Sequence, residues 1–362
     1  MDSSKVYCNF SFFEKRGMKR VKQWKDYLIL DMENLHITED KLRRYNVDYY
    51  YCGSYTTAPI FLAHKDGVIS WQAKTPLGTW LEFDIRSLIN DNWTKWYCMG
   101  SWSLNSSPFK RRSIRNQFDH FGDVKIDTLV LNDVASAFQV RVTLFTIDLK
   151  ISPRLYSFGI SLSNGTDVGG SRSGPDGANS LVVPKRSQMP FLGGQVMCSP
   201  ACVSMVLGYW AAVTDNETLD KSVTQVARFV WDSEYKSFGN WSFNIAYIAS
   251  LGLQAKVVRL CNLNDIEQWI KSKVPVIVSV AYKSGQLKGA PLNETKGHLL
   301  VVRGFDELGN VLVNDPAALT DEDVSLTYDR IQFEQVWLNG SNGTAYLIYD
   351  PNWPIPKSNG RW

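Results

Sequence analysis

Histidine and cysteine are scarce in this chain, with four His and six Cys among 362 residues. An excess of one charge is also missing: 39 Lys+Arg stand against 36 Asp+Glu, a formal net charge of +3. So balanced a chain lacks the broad basic surface that holds phosphate backbones or anionic lipid, which argues against nucleic acid and membrane as partners. Long apolar runs are absent as well. The longest stretch, at residues 274–282, falls far short of the roughly 18–20 residues a membrane helix needs. The first residues show no basic segment followed by an apolar one, so no secretory signal is expected and a cytoplasmic setting is. The cysteines, Cys8, Cys52, Cys98, Cys198, Cys202 and Cys261, are dilute and scattered, which fits reduced thiols better than a disulfide framework.

What is present is apolar and aromatic, at 44% and 13% of the chain, enough to exclude general disorder. At roughly 100–200 residues per domain, the length predicts two domains, each with a core of its own. Residues 161–180 contain five glycines and almost nothing to bury, the composition of a flexible linker. The expected division is a first domain over residues 1–162, a linker over 163–180, a second domain over 181–351 and a tail over 352–362.

Before the linker the pattern has period two. Leu81, Phe83 and Ile85 fall on one face of residues 80–85, with Glu82 and Asp84 on the other. Phe138, Val140, Val142 and Leu144 alternate in the same way, and residues 27–30 and 127–131 read as further strands. Short alternating strands separated by turn residues predict an all-β antiparallel sandwich. Trp71, Trp80, Trp93, Trp96 and Trp102 crowd this half. Sheet burial accounts for them more simply than stacking on a sugar ring or peptide, although a glycan or peptide ligand of this domain is the alternative.

After the linker the pattern is mixed. Helices are expected from 199 or 200 to about 212, over 219–231, over a segment from Asn240 that ends at Gly252, and over 263–270 with Asn262 or Asn264 as cap. Strands are expected at 274–282, 298–305, 311–314 and 345–349. Helices first and strands later is an α+β layout.

The chemistry concentrates here. In Met197-Cys198-Ser-Pro-Ala-Cys202, Pro200 suits a first helical turn, which puts Cys198 at the helix N-terminus, where the dipole and free N–H groups favour a thiolate. Cys202 lies one turn further in among apolar neighbours, as a packing residue. Zinc is a weaker reading of the pair, because the spacing is poor and no second Cys/His pair is visible. A thiol nucleophile needs a base. His36, His64 and His120 lie in polar or turn-like stretches and are expected at the surface, whereas His298 opens an apolar strand. If the turn Asp306-Glu-Leu-Gly309 closes a hairpin with Phe305 facing Asn310, Asp315 becomes a diagonal neighbour of His298. The two would then lie on one face, about 7–8 Å apart at the backbone. A carboxylate there can accept the imidazole N–H and fix its tautomer. An amide upstream of Cys198 could complete an oxyanion hole with the Cys198 N–H, and Gln188 and Gln195 are both candidates. The pair Lys185-Arg186 reads as a solvated face.

In these residues the second half resembles the C39-like branch of papain-like cysteine peptidases. The resemblance rests on Ser187-Gln188-Met189, Cys198-Ser-Pro-Ala, Gly297-His298 and Asn314-Asp315-Pro316, together with Gly239-Asn-Trp-Ser-Phe-Asn and Ser250-Leu-Gly252. It covers about residues 181–350. It implies a papain-like α+β domain with a triad of Cys198 as nucleophile, His298 as base and acid, and Asp315 as orienter, and it favours Gln188 as oxyanion donor. Ser199 departs from the glycine common after the nucleophile, and the loop from Gln188 to Cys198 is long, which keeps Gln195 as a rival. The best-known relatives cut leader peptides at double-glycine sites within membrane exporters; without a membrane span, that substrate does not carry over. The first half is similar to β-sandwich regions that precede such domains in some bacterial proteins.

The expectation is therefore a cysteine peptidase or amidase acting on a peptide or protein through an acyl-enzyme, with no metal or organic cofactor required. The same triad could pass the acyl group to an amine or thiol acceptor, and a third reading is a non-catalytic binding protein using the Trp-rich sandwich.

Overall fold

The computed structural model describes residues 10–16, 23–24, 27–28, 36–38, 50–164, 177–358 and 362. The chain forms two compact units. One comprises Phe13–Ile160 with Ala227–Lys256; the other comprises Met1–Phe12, Ser161–Val226 and Val257–Trp362. Of the expected linker, residues 165–176 lie outside the described residues.

The first unit is built on antiparallel strands in two sheets, as the period-two pattern requires. One sheet runs in the order Gly122–Lys125, Thr128–Ala135, His64–Lys74, Arg154–Ser163, Tyr27–Leu28, Gln23–Trp24. The other runs His36–Thr38, Tyr50–Thr56, Ala137–Thr146, Thr79–Ile89, Asn92–Trp93, with Tyr97–Trp102 also on Thr79–Ile89. Aromatic side chains fill the space between them: Trp71 stacks on Phe83 at 4.7 Å and Phe83 meets Phe158 at 5.8 Å. Trp80 lies between Phe109 and Phe145, at 5.1 and 5.0 Å. Trp71, Trp80 and Trp102 are thus core residues. Trp93 and Trp96 are half-buried, and the Arg86 and Arg141 guanidinium groups cover their faces at 4.6–4.7 Å.

Glu82 and Asp84, on the second face, are also buried, Glu82 accepting a hydrogen bond from Ser101 and Asp84 pairing with Arg141 at 3.0 Å. One expectation for this unit is corrected: His64 is not at the surface. It is fully buried, with Nε2 2.8 Å from Ser87 Oγ and Nδ1 2.9 Å from Leu62 O. In each case a specific partner satisfies the polar group, the condition for burying it.

Residues from later in the chain complete this unit. Asp232, fully buried, accepts from the N–H groups of Ser113, Glu234 and Tyr235 and from Asn240 Nδ2, all at 3.0–3.1 Å. Arg111 donates to the carbonyls of Trp231, Ser103, Leu104 and Arg228. These bonds tie a loop and a helix to the strands; that helix, Trp241–Ser250, is capped by Asn240, whose Oδ1 accepts from the Phe243 N–H at 3.1 Å.

The second unit is α+β. Its sheet is ordered Gln254–Arg259, Thr344–Tyr349, Val276–Tyr282, Thr295–Phe305, Val311–Asn314, Ser325–Tyr328, and Asn179–Ser180 also pairs with Thr295–Phe305. Among the described residues we number the α-helices in chain order: α1 Cys198–Val213, α2 Val223–Val230, α3 Trp241–Ser250 (described above), α4 Leu263–Lys271 and α5 Arg330–Ser341. Residues 199–211 of α1 are all buried, which is why its sequence carries no polar face. The cap of α4 is Asn262, whose Oδ1 accepts from Asp265 N–H at 3.2 Å. Helix α2 starts later than expected because residues Glu217–Leu219 form a separate 3-10 turn capped by Asn216.

The hairpin that carries the site closes differently from the sequence reading. Phe305 faces Val311, not Asn310, and Gly309 occupies the turn at φ +81°. A bulge between Val302 and Gly304 absorbs the difference, so that Val302 faces Val313 and Val301 faces Asn314. Near His298 the register is therefore the expected one.

Lys185-Arg186 is not simply solvated. Arg186 is mostly buried, pairs with Asp220 and donates to Ser204 O and Lys221 O at 3.1 and 2.6 Å. The cysteine expectation is corrected too: Cys52, Cys98, Cys198 and Cys202 are free, but Cys261 is disulfide-bonded. Disulfides persist in oxidising compartments, so cysteine usage no longer supports a cytoplasmic setting. Among the described residues, no helix is long and apolar enough to cross a membrane.

Candidate active site

A 3-10 turn, Gly194–Val196, leads into α1, and Cys198 is the first residue of that helix. The first N–H groups of a helix have no partner within it, so they are free to face an anion. Cys198 is half-exposed. Burial pushes its thiol pKa up, but a hydrogen bond and charge from His298, with the backbone N–H groups of Leu299 and Ser199, outweigh burial and hold it below the usual value. Cys202 shows the opposite: burial raises its thiol well above the usual value, and the charges of Cys198 and Asp315 add to that. The helix thus carries one thiol whose pKa is lowered and one whose pKa is raised.

His298 lies in Thr295–Phe305, opposite Val280, and is 2% exposed. Its Nε2 donates to Asp315 Oδ1 at 2.7 Å, which leaves Nδ1 for the thiol. Burial would lower the imidazole pKa, but the Asp315 charge and hydrogen bond, joined by Cys198, raise it to about 10. Asp315 follows directly on Val311–Asn314. Its Oδ1 also accepts the Ala317 N–H at 3.0 Å, and Oδ2 accepts the Tyr328 hydroxyl at 2.8 Å. Burial would raise this carboxyl; the imidazolium charge and the three donors hold it below its usual value.

The two candidate glutamines separate. Gln195 is exposed on the 3-10 turn. Gln188 is buried: its Nε2 donates to Gly194 O at 2.7 Å, and its backbone N–H donates to Pro316 O at 2.8 Å. A second Nε2 hydrogen remains for another acceptor. Glycine at 194 permits this approach, since a Cβ there would stand 2.1 Å from Gln188 O. Ser187 donates to Ala318 O, and Asn314 Nδ2 donates to Val183 O and Pro184 O at 3.2 Å. The segment before the nucleophile is therefore laced to the segment around Asp315.

The structure brings Cys198, His298 and Asp315 together and ties Gln188 to the residue after Asp315. The sequence reading missed Tyr328. Its alignment depends on the pairing of Val311–Asn314 with Ser325–Tyr328, where Val311 faces Tyr328, and no local motif announces that pairing. Among the described residues, no group of three or more His, Cys, Asp or Glu could hold a metal ion.

Comparison with known proteins places both halves. Residues 2–163 match the Peptidase C39 N-terminal domain, and residues 180–345 match the Peptidase_C39 like family. No curated protein matches the chain. Among solved structures, a Bacillus anthracis protein described as a C39-like peptidase aligns at 16% identity over 49% of this chain and 100% of that one. The TM-score is 0.36. The two domain matches, in this order along the chain, give it the two-domain architecture of the C39-like peptidase family.

Proposed function

We propose that the chain is a cysteine peptidase or amidase that cleaves a peptide or protein amide bond through Cys198, His298, Asp315 and Gln188. The observation that carries this reading is the geometry: Cys198 opens α1 within hydrogen-bond reach of His298, whose Nε2 donates to Asp315 Oδ1 at 2.7 Å, an arrangement that pulls the thiol pKa down and pushes the imidazole pKa up. Displacements in these directions favour thiolate and imidazolium, the state needed for attack. The family architecture supports a hydrolase or peptidase role in general terms.

In this reading the Cys198 sulfur bonds to the substrate carbonyl carbon, and the oxygen takes up negative charge. The Cys198 N–H and the second Gln188 Nε2 hydrogen stabilise it. His298 Nδ1 then gives its proton to the leaving amine as the C–N bond breaks. Water, deprotonated by the same nitrogen, attacks the thioester and frees the acid and the thiolate. Asp315 accepts the Nε2–H throughout, which fixes the tautomer and supports the imidazolium. The steps require no metal or organic cofactor.

A thiol-directed activity probe with mass-spectrometric site mapping tests the assignment. Labelling should fall on Cys198 and drop in His298→Ala. Labelling at Cys202, or labelling indifferent to His298, would overturn it. Product analysis with an added amine separates hydrolysis from acyl transfer.

A further inference from the structure

Asp315 has two carboxylate oxygens with different tasks. Oδ1 receives His298 Nε2–H and the Ala317 N–H, at 2.7 and 3.0 Å. Oδ2 receives the Tyr328 hydroxyl at 2.8 Å, its one hydrogen-bond donor among the described residues. Both partners are buried, Tyr328 and Asp315 each at 0% exposure. The Tyr328 ring is itself fixed, stacked on Phe333 of α5 with 6.1 Å between centroids. Burial and the charge of Asp315 raise the Tyr328 pKa, so the phenol stays a donor over any working pH.

A carboxylate turns easily about its terminal torsion, for which the energy wells are broad. Held only at Oδ1, it could swing and carry the imidazole with it, and a buried oxygen left without a donor would favour protonation. The other titratable groups near Asp315 are His298, Tyr282 on Val276–Tyr282, and Cys202 on α1. Tyr282 directs its hydroxyl elsewhere, to Leu292 O at 3.3 Å. Among the described residues, Tyr328 alone supplies Oδ2.

We propose that Tyr328 is a positioning residue of this site: its hydroxyl fixes the rotation of the Asp315 carboxylate, presents Oδ1 to His298, and keeps the carboxylate ionised. The proposal rests on the reading of Cys198 and His298 as a thiolate–imidazolium pair. It makes Tyr328 act on the sulfur only through Asp315 and His298.

The experiment is the pH profile of Cys198 alkylation by iodoacetamide in the full chain, for wild type, Tyr328→Phe and Tyr282→Phe. Phenylalanine at 328 keeps the ring and its stacking, so the change reads the hydroxyl. Without that donor Asp315 protonates at higher pH, the imidazolium loses its support, and the acid limb of the profile moves up. A shift of about 0.5–1 pH unit is expected, because a hydrogen bond to a charged group is worth roughly one to two pKa units and only part of it reaches the thiol. Tyr282→Phe should leave the limb in place. A merely structural role for Tyr328 would lower the melting temperature without moving the limb.

An unmoved limb in folded Tyr328→Phe overturns the proposal and leaves the cysteine assignment standing. A wild-type Cys198 that does not alkylate overturns both. If Tyr328→Phe does not fold, 3-fluorotyrosine incorporated at position 328 reads the same bond with the opposite sign. Its more acidic phenol donates more strongly, so the limb should move to lower pH; no movement overturns the proposal.

Discussion

His298 Nε2 and Asp315 Oδ1 stand 2.7 Å apart, in side chains that are 3% and 0% exposed. The two residues come from neighbouring antiparallel strands, His298 within one and Asp315 just beyond the end of the other. They meet because a bulge at the turn end of the hairpin restores the register at the site end. A dry pair of this kind favours the charged forms of both groups, since each partner replaces the water the other has lost.

Substituting this pair should change the thiol before it changes the fold. In His298→Ala the Cys198 thiol is expected to titrate at higher pH than in wild type, because burial is then less opposed, which alkylation rates against pH would show. Asp315→Asn keeps the shape but not the charge, and hydrolysis should fall by about 10²–10⁴-fold. Activity within a few fold of wild type in Asp315→Asn would remove Asp315 from the proposed machinery.

Stability against pH follows from the same displacements. His298 is raised from 6.5 to about 10, so alone it would contribute stability that is lost as pH rises from 6.5 through 10. The Cys198 thiol is lowered from 9.0, so between its folded value and 9.0 it contributes in the opposite sense. Where the two ranges overlap, the folded chain favours protonated His298 and deprotonated Cys198 more than the unfolded chain does, and the two slopes oppose each other. Thermal melts of Cys198→Ser should therefore lose more stability over this range than wild type. Asp315, lowered from 3.8, adds stability above that value which is lost as pH falls through its folded pKa. Parallel melting curves for wild type and Cys198→Ser would contradict the pair.

The two glutamines should give unequal kinetics. Gln188→Ala is expected to lower kcat by about 10²–10³-fold, the usual loss for one oxyanion donor. Gln195→Ala, on an exposed turn, should be near wild type. The reverse order in a peptide-hydrolysis assay would exchange the two.

Asp232 offers a stability test away from the site. It is buried and receives four different N–H donors, which Asp232→Ala would leave without their acceptor. A loss of about 2–4 kcal/mol is expected, with faster limited proteolysis within residues 227–256. Unchanged denaturant midpoints would show that the donors find other acceptors.

Much of the secondary structure was legible in local patterns. The strand Val311–Asn314 falls at the expected bounds, and Asn262, one of two expected candidates, caps α4. Helix α5 and the strand Gln254–Arg259 escaped the reading. In α5 the apolar residues Phe333, Val336, Trp337 and Leu338 are mixed with Asn339-Gly340, which reads as a turn. The burial of Glu82 and Asp84 was not legible, because alternation reports which residues share a face, while burial of the second face depends on partners far away in sequence, such as Ser101 and Arg141.

By itself, the sequence determined the helix that opens near Cys198 and the alignment of His298 with Asp315, because helix starts and strand alternation are local in origin. Tertiary structure alone decided three matters. It separated buried Gln188 from exposed Gln195, grouped residues 227–256 with the N-terminal strands, and set the Tyr328 hydroxyl on Asp315. Each depends on side chains or segments brought together across strand pairings and turns, which no window of sequence contains.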